Sequence, residues 1–299
     1  MLFEEIWQAD MDGNGVLPLI KGVSDSDRND EKGYVIVDMD PFSGRGGRGE
    51  RNREVNVLTN VTIPEEKMAS YNIFQKFHNN YDWHEKENDP VTEEEENEIR
   101  ELLEFSIKTP PMKIVRDYAL EKKIISNGTS DEEWLEQLKD IWFGQYQRNS
   151  TSAFEHIFMG EQKGTELNGH HFWYHYYIND GPFEVTHVRD AIHFLKTVEV
   201  VRAEQSHLAE VITIKYNYEE VDSAGNKTVL QKKKGGFFVG TSTEGLIALG
   251  TAAFFDGREN VPIELNGEKY DLAVFKAQDD PTKLRTFFPK IKQHARVGH

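Results

Sequence analysis

The chain has 299 residues, 37% of them hydrophobic, with no cysteine and a formal net charge of −17. That is enough apolar material for a packed core of one large or two ordinary domains, and it excludes a disordered chain, a disulfide scaffold, thiol catalysis and cysteine-ligated zinc or iron–sulfur centres. No apolar run reaches the length of a membrane span, and the acidic balance argues against a non-specific polyanion binder, so any nucleic-acid role must come from a local basic site.

The charge is unevenly placed. Residues 1–145 carry a net −15 and residues 146–299 a net −2, and nine of the eleven histidines lie from His156 onward. Chemistry is therefore expected in the second half. The opening Met1-Leu2-Phe3-Glu4-Glu5 has neither a basic nor an apolar leader region, so a cytoplasmic location is the expectation.

In chain order, Asp10-Met11-Asp12-Gly13-Asn14-Gly15 resembles the start of a calcium loop. Lys21 stands where the closing Glu is needed and Pro18 at position nine, so the segment reads as a helix end and polar turn. Gly44-Arg45-Gly46-Gly47-Arg48-Gly49 matches GxGxxG after an apolar run, Tyr34–Val37. The apolar helix that a dinucleotide site requires does not follow. This reads as an Arg/Gly loop, with auxiliary RNA contact by its arginines as the functional alternative.

Thr62 with Glu65 predicts a capped helix running to Tyr81. Thr92 with Glu95 predicts a second, with Ile99, Leu102, Leu103 and Ile107 on one face. Thr109-Pro110-Pro111 ends that helix and starts another over 112–125. Ser130 with Glu133 opens a fourth, whose Trp134, Leu135, Leu138, Ile141, Trp142 and Tyr146 read as core.

From residue 153 the pattern changes to strands, expected at 154–160, 170–178, 197–203, 209–219, 227–231, 236–240, 261–266, 269–276 and 284–288, with one helix at 243–255. Helices first and strands later predict an α+β fold, divided into a mainly helical N-terminal lobe, 1–148, and a β-rich catalytic lobe of antiparallel sheets, 149–299.

The candidate chemistry lies in three segments. Ala153–Glu161 holds His156, Asn168–Tyr177 holds His170, His171 and His175, and Lys232-Lys233-Lys234-Gly235-Gly236 leads into Phe237–Ser242. Read as strands joined by a hairpin, the first two bring His156 and His171 close, with His171, Trp173 and His175 on one face and His170 on the other. Two imidazoles and an ammonium suit cleavage of RNA by its own 2′-hydroxyl: one His as base, one as acid, and a Lys on the phosphorane. A histidine metal site at His170, His171 and His175 is an alternative, and three lysines in a row also fit a solvated turn.

Phe154-Glu155-His156-Ile157-Phe158-x-Gly160-Glu161, Gly169-x-His171-x-Trp173 and Lys232-x-x-Gly235 before Phe238-Val239-Gly240-Thr241-Ser242 resemble the EndoU family. These are the poly(U)-specific endoribonucleases, distant relatives of the coronaviral uridylate-specific enzyme. Ile6–Asp10, Lys108–Met112, Leu138–Phe143 and Thr286-Phe287-Phe288-Pro289-Lys290 extend the likeness over nearly the whole chain.

The resemblance implies an endoribonuclease that cuts single-stranded RNA, with a preference for uridine, and leaves 2′,3′-cyclic phosphate and 5′-hydroxyl ends. DNA lacks the 2′-hydroxyl nucleophile, so no cleavage of DNA is expected, and with no apolar span no membrane partner is expected. It assigns His156 and His171 to acid–base work, with His171 favoured as base and His156 as acid. Lys232 is the charge stabiliser, with Lys233 or Lys234 as alternatives if the register shifts. Glu155 and Glu161 support activity, and Gly236, Thr286 and Phe288 bind substrate. No cofactor is required, with stimulation by Mn²⁺ or another divalent cation left open. The chain departs from the pattern twice: the family usually has Ser at the position of Gly236, and the viral enzymes Tyr at that of Phe288. Gly236→Ser with Phe288→Tyr is therefore expected to sharpen selectivity toward uridine.

Overall fold

The computed structural model of the chain describes residues 1–41, 56–81, 90–147, 151–180, 191–200, 204–221 and 224–292. The Gly44–Gly49 motif lies outside them. Helix α1, Leu2–Asp12, buries Ile6, Trp7 and Asp10 and ends at Gly13, whose N–H donates to the carbonyls of Ala9 and Asp10. The polar turn after it is the one the failed calcium pattern implied. Strands β1 (Leu17–Ile20) and β2 (Tyr34–Val37) pair in parallel, and β3 (Leu58–Thr62) pairs antiparallel with β2.

Thr62 is therefore the end of a strand and not a helix cap. Proline disfavours helical backbone in the residue before it, so Ile63-Pro64 keeps the chain extended. The helical segment starts with a 3₁₀ turn at Glu65–Lys67, becomes α2 over Met68–Gln75, and closes with another 3₁₀ turn, Lys76–Asn79. Helices α3 (Glu93–Ser106), α4 (Pro110–Glu121) and α5 (Asp131–Phe143) follow. Both expected capping boxes are formed: Thr92 Oγ1 accepts from Glu95 N–H at 3.2 Å while Glu95 accepts from Thr92 N–H at 2.6 Å, and Ser130 and Glu133 do the same at 3.2 and 2.7 Å. The aromatic face of α5, from Trp134 to Trp142, is buried, and so is Tyr146, which lies beyond the helix end at Phe143.

A helical segment containing a π turn, Glu155–Met159, replaces the strand expected at 154–160. Phe154 and Phe158 stack one turn apart at 4.4 Å, a contact that strand geometry would deny them. After the short hairpin β4 (Glu161–Lys163) and β5 (Glu166–Asn168) comes α6, Trp173–Asn179, where a strand was expected. Every residue of α6 is buried, so it has no polar stripe to announce a helix, and its aromatic run carries the composition of a strand.

Strands β6 (Ile192–Val200), β7 (Val211–Val221) and β8 (Lys227–Phe238) follow, then α7 (Thr243–Asp256) and β9 (Asn260–Leu265), β10 (Glu268–Lys276) and β11 (Leu284–Ile291). The two segments expected at 227–231 and 236–240 are one strand. A bulge sets Lys233 and Lys234 opposite Lys215 alone, and the ladder resumes at Gly235. One sheet runs β4-β5-β8-β7-β6 and another β11-β10-β9. The whole is α+β, helical first and sheet-rich later, with a small three-stranded sheet inserted among the early helices. A single apolar cluster joins α1 through α7 to the inner faces of both later sheets. Among the described residues no helix is long and apolar enough to cross a membrane.

Helix α7 is buried from Thr243 to Ala253, and its N-terminus meets two enclosed carboxyl groups. Asp10 Oδ2 accepts from Ser242 N–H at 2.9 Å, and Oδ1 accepts from the Ser242 hydroxyl. Glu244 accepts from Ser70 and Asn14, each at 2.5 Å. Burial first, then the Glu244 charge, pushes Asp10 up to about 7 against its Ser242 bonds and Lys67. Burial likewise raises Glu244 against its bonds to Ser70 and Asn14. A carboxyl raised in the folded state stabilises fully below its unfolded pKa and loses that contribution as pH rises through the folded one. Stability from this pair is thus expected to fall between about pH 4 and 7. Glu244→Gln should flatten that fall, read as denaturation midpoints at pH 5 and 8; an identical pH dependence in the variant would refute it.

Candidate active site

The π turn and the loop before α6 are laced through their backbones. His170 N–H donates to the His156 carbonyl at 2.8 Å, and His171 N–H to the Ile157 carbonyl at 2.6 Å. Gly169 makes this approach feasible. Its φ is +66°, and a Cβ there would stand 1.9 Å from the His156 carbonyl oxygen, so only glycine fits. The β4–β5 hairpin connects the two segments, and the His156 and His171 rings lie 6.4 Å apart. The expected proximity is present, although neither residue is on a strand.

Each imidazole has one nitrogen fixed. His171 Nδ1 lies 2.8 Å from the Gly236 carbonyl oxygen. A carbonyl only accepts, so Nδ1 carries the hydrogen and Nε2 keeps its lone pair. Burial, followed by the charges of Lys232 and His156, holds His171 well below the usual imidazole range. Burial and these charges favour the neutral imidazole. His156 Nδ1 lies 2.8 Å from Glu161 Oε1, which also accepts from Asn168 Nδ2 at 3.2 Å. Burial works to raise the Glu161 carboxyl, but the hydrogen bond and charge of His156, with Thr151 and Asn168, keep it below its ordinary value. Glu161 therefore stands as a carboxylate orienting His156.

Lys232 is buried on β8 and donates to the Gly169 carbonyl at 2.5 Å. Burial lowers its ammonium to about 8, with Glu166 opposing, so it remains largely charged at neutral pH. Lys233 and Lys234 are exposed and pair with Glu166 and Glu199. Of the three lysines only Lys232 reaches the histidines' loop. Glu155 is buried on the π turn, where its charge and that of Glu161 bear on the Tyr146 hydroxyl.

On β11, the Phe288 ring lies parallel to His171 at 4.8 Å. Two residues earlier on the same face of the strand, the buried Thr286 hydroxyl has no hydrogen-bond partner among the described residues. Gly236 serves through its carbonyl. A Cβ there would stand 2.8 Å from the Pro289 carbonyl oxygen, so β11 leaves no room for the side chain that the resemblance places at this position.

His170, His171 and His175 do not converge on a common point. His170 Nδ1 is 2.7 Å from the Tyr216 hydroxyl and Nε2 2.6 Å from His175 Nδ1, while His171 turns to Gly236. Among the described residues no group of three or more His, Asp or Glu could hold a metal ion. Sequence reasoning did not find Tyr216, Asn168 or Thr151. Tyr216 faces Lys232 across β7 and β8, a relation that strand register creates and local sequence does not contain.

A neutral imidazole, a carboxylate-oriented imidazole and a buried ammonium around one loop make an acid–base site with a cation for developing negative charge. The chain belongs to the XendoU endoribonuclease family, whose model matches residues 16–289. Uridylate-specific endoribonuclease B of Danio rerio is 27% identical over 230 residues, covering 75% of each chain. The uridylate-specific endoribonuclease of Homo sapiens is 26% identical over 261 residues, 84% of this chain and 57% of that protein. The solved structure of XendoU, described as a splicing-independent snoRNA-processing endoribonuclease, has the same fold: TM-score 0.67 at 23% identity, over 98% of this chain and 96% of that one.

Proposed function

We propose that this protein cleaves single-stranded RNA at uridines by attack of the 2′-hydroxyl on the adjacent phosphorus. His171 Nε2 takes the 2′-hydroxyl proton, O2′ bonds to phosphorus and the bond to O5′ breaks. His156, protonated, gives the leaving O5′ its proton, and Lys232 stabilises charge on the non-bridging oxygens. The products are a 2′,3′-cyclic phosphate and a 5′-hydroxyl. The observation that carries this reading is the fixed tautomer of His171, a buried neutral imidazole with Nε2 unspent, 6.4 Å from the second imidazole. The relatives, named as uridylate-specific endoribonucleases, support the uridine preference, and Phe288 and Thr286 on one face of β11 beside His171 are the side chains that would meet the base.

The test is a fluorescent RNA with a single uridine against its 2′-deoxy counterpart. Cleavage of the first and none of the second is expected, and equal cleavage of both would refute the mechanism. No step of this reaction is routed through a metal. Activity is expected to persist in EDTA, and Mn²⁺ added to the same assay measures any stimulation.

The two base-pocket substitutions should behave differently. Phe288→Tyr adds a hydroxyl beside Thr286 and is expected to raise the uridine-to-cytidine rate ratio, by up to the roughly 5- to 150-fold that one buried polar group left unpaired commands. Gly236→Ser drives a Cβ against the Pro289 carbonyl and is expected to lower cleavage of both bases. Matched single-uridine and single-cytidine RNAs report both effects; a Gly236→Ser enzyme of full activity would contradict the crowding.

A further inference from the structure

Two enclosed imidazoles beside the site have no part in that chemistry. His170 is 1% and His175 2% exposed. His170 is also held at φ +63°, a backbone conformation that costs energy for a residue with a Cβ unless its surroundings enforce it. It stands between Gly169, whose carbonyl receives Lys232, and His171, the proposed base. Its Nδ1 meets the Tyr216 hydroxyl and its Nε2 meets His175 Nδ1.

Asn179 Nδ2 donates to the His175 carbonyl at 2.8 Å. A hydrogen-bonded chain thus runs from α6 through the loop to β7, from His175 Nδ1 through His170 to the Tyr216 oxygen. Tyr216 in turn is the cross-strand partner of Lys232. The bulge at Lys233 and Lys234 begins immediately after that pair, where the ladder alone constrains β8 least.

We propose that His170 and Tyr216 are positioning residues for RNA cleavage: their hydrogen bond fixes the Gly169 carbonyl that aims the Lys232 ammonium. The proposal rests on the nuclease reading of the site for its kinetic consequence, not for its geometry. The titratable groups facing this joint are Lys232 on β8, His175 on α6, Tyr216 and Tyr218 on β7 and His171 in the same loop, with His78 packed on His175 and Glu166 of β5 acting on Lys232. His170 stays neutral among them, pushed down to about 3 by burial and then by Lys232, and so serves as a strut with no net charge.

Tyr216→Phe keeps the ring and removes the strut's anchor. The expected result is a kcat about 10-fold lower, the scale of one lost hydrogen bond, with KM within about twofold. Lys232, deprived of the carbonyl that accepts from its charged form while still buried, should titrate below its present value of about 8. The ¹³Cε resonance of Lys232, assigned with Lys232→Arg, reports that titration without any RNA. His170→Asn, which tolerates the positive φ but cannot span both bonds, should do the same, and the double variant should cost no more than His170→Asn alone. Should Tyr216→Phe not fold, His170→Asn carries the test. A Lys232 titration that stays where it is overturns the proposal, whatever happens to kcat or melting temperature. If the wild type does not cleave RNA, the nuclease reading fails, and the resonance still decides the strut.

Discussion

His171→Ala and His156→Ala each lower RNA cleavage by roughly 10²–10⁴-fold, the usual reach of general acid–base catalysis. For His171 the loss follows from the removal of the Nε2 lone pair that the bond from Nδ1 to the Gly236 carbonyl leaves unprotonated. For His156 it follows from the loss of the ring that Glu161 holds within 6.4 Å of the base. The two act in one proton-transfer event, so the double variant should be scarcely slower than the worse single one. Glu161→Gln should cost less than His156→Ala, since it disturbs the orientation of the ring and leaves the ring in place. Single-turnover rates on a single-uridine RNA, with circular dichroism to establish folding, measure all four. Near-wild-type rates for both alanine variants would show that the chemistry lies elsewhere.

The second large effect is expected at Lys232. Removing a preorganised donor aimed at transition-state charge costs ~10²–10³ in kcat, and Lys232→Ala removes a buried ammonium. Lys233→Ala and Lys234→Ala remove exposed groups already paired with Glu166 and Glu199. Such surface pairs contribute about 0–1 kcal/mol, and changes within a few-fold are expected. Wild-type activity should also decline as pH rises through about 8, because burial has brought the Lys232 ammonium down to that value and the charged form is the useful one. Three equal losses across the lysines would instead indicate a diffuse phosphate-binding patch.

The segments that come together at the candidate site were legible in the sequence; their local conformations were not. Capping boxes at Thr92 and Ser130 and the proline pair at 110–111 announced their helices because the signal there is chemical and local. The same pattern at Thr62 failed because Pro64 excludes helical backbone at the residue before it. The segments around His156 and His171 read as strands because fully enclosed helical turns show no polar face, and aromatic residues favour strands in general. The two histidines still came together, since a hairpin between the segments unites their inner ends whichever conformation flanks it. The tautomer of His171 depends on Gly236, 65 residues on, and the pairing of Tyr216 with Lys232 on the register of β7 against β8; no local pattern encodes either.

The backbone lacing between the π turn and the loop before α6 also bears on how freely this region can vary. The distance between the two imidazoles is set by main-chain bonds from residues 170 and 171 to residues 156 and 157, and not by the hairpin that joins them. The hairpin tip at Gly164, with φ +62° and open space about it, hangs outside that clamp. Chain length there is uncoupled from the spacing of the two rings. The tip can lengthen, accept an inserted sequence or supply new termini for a permuted chain, while the pair of imidazoles keeps its separation.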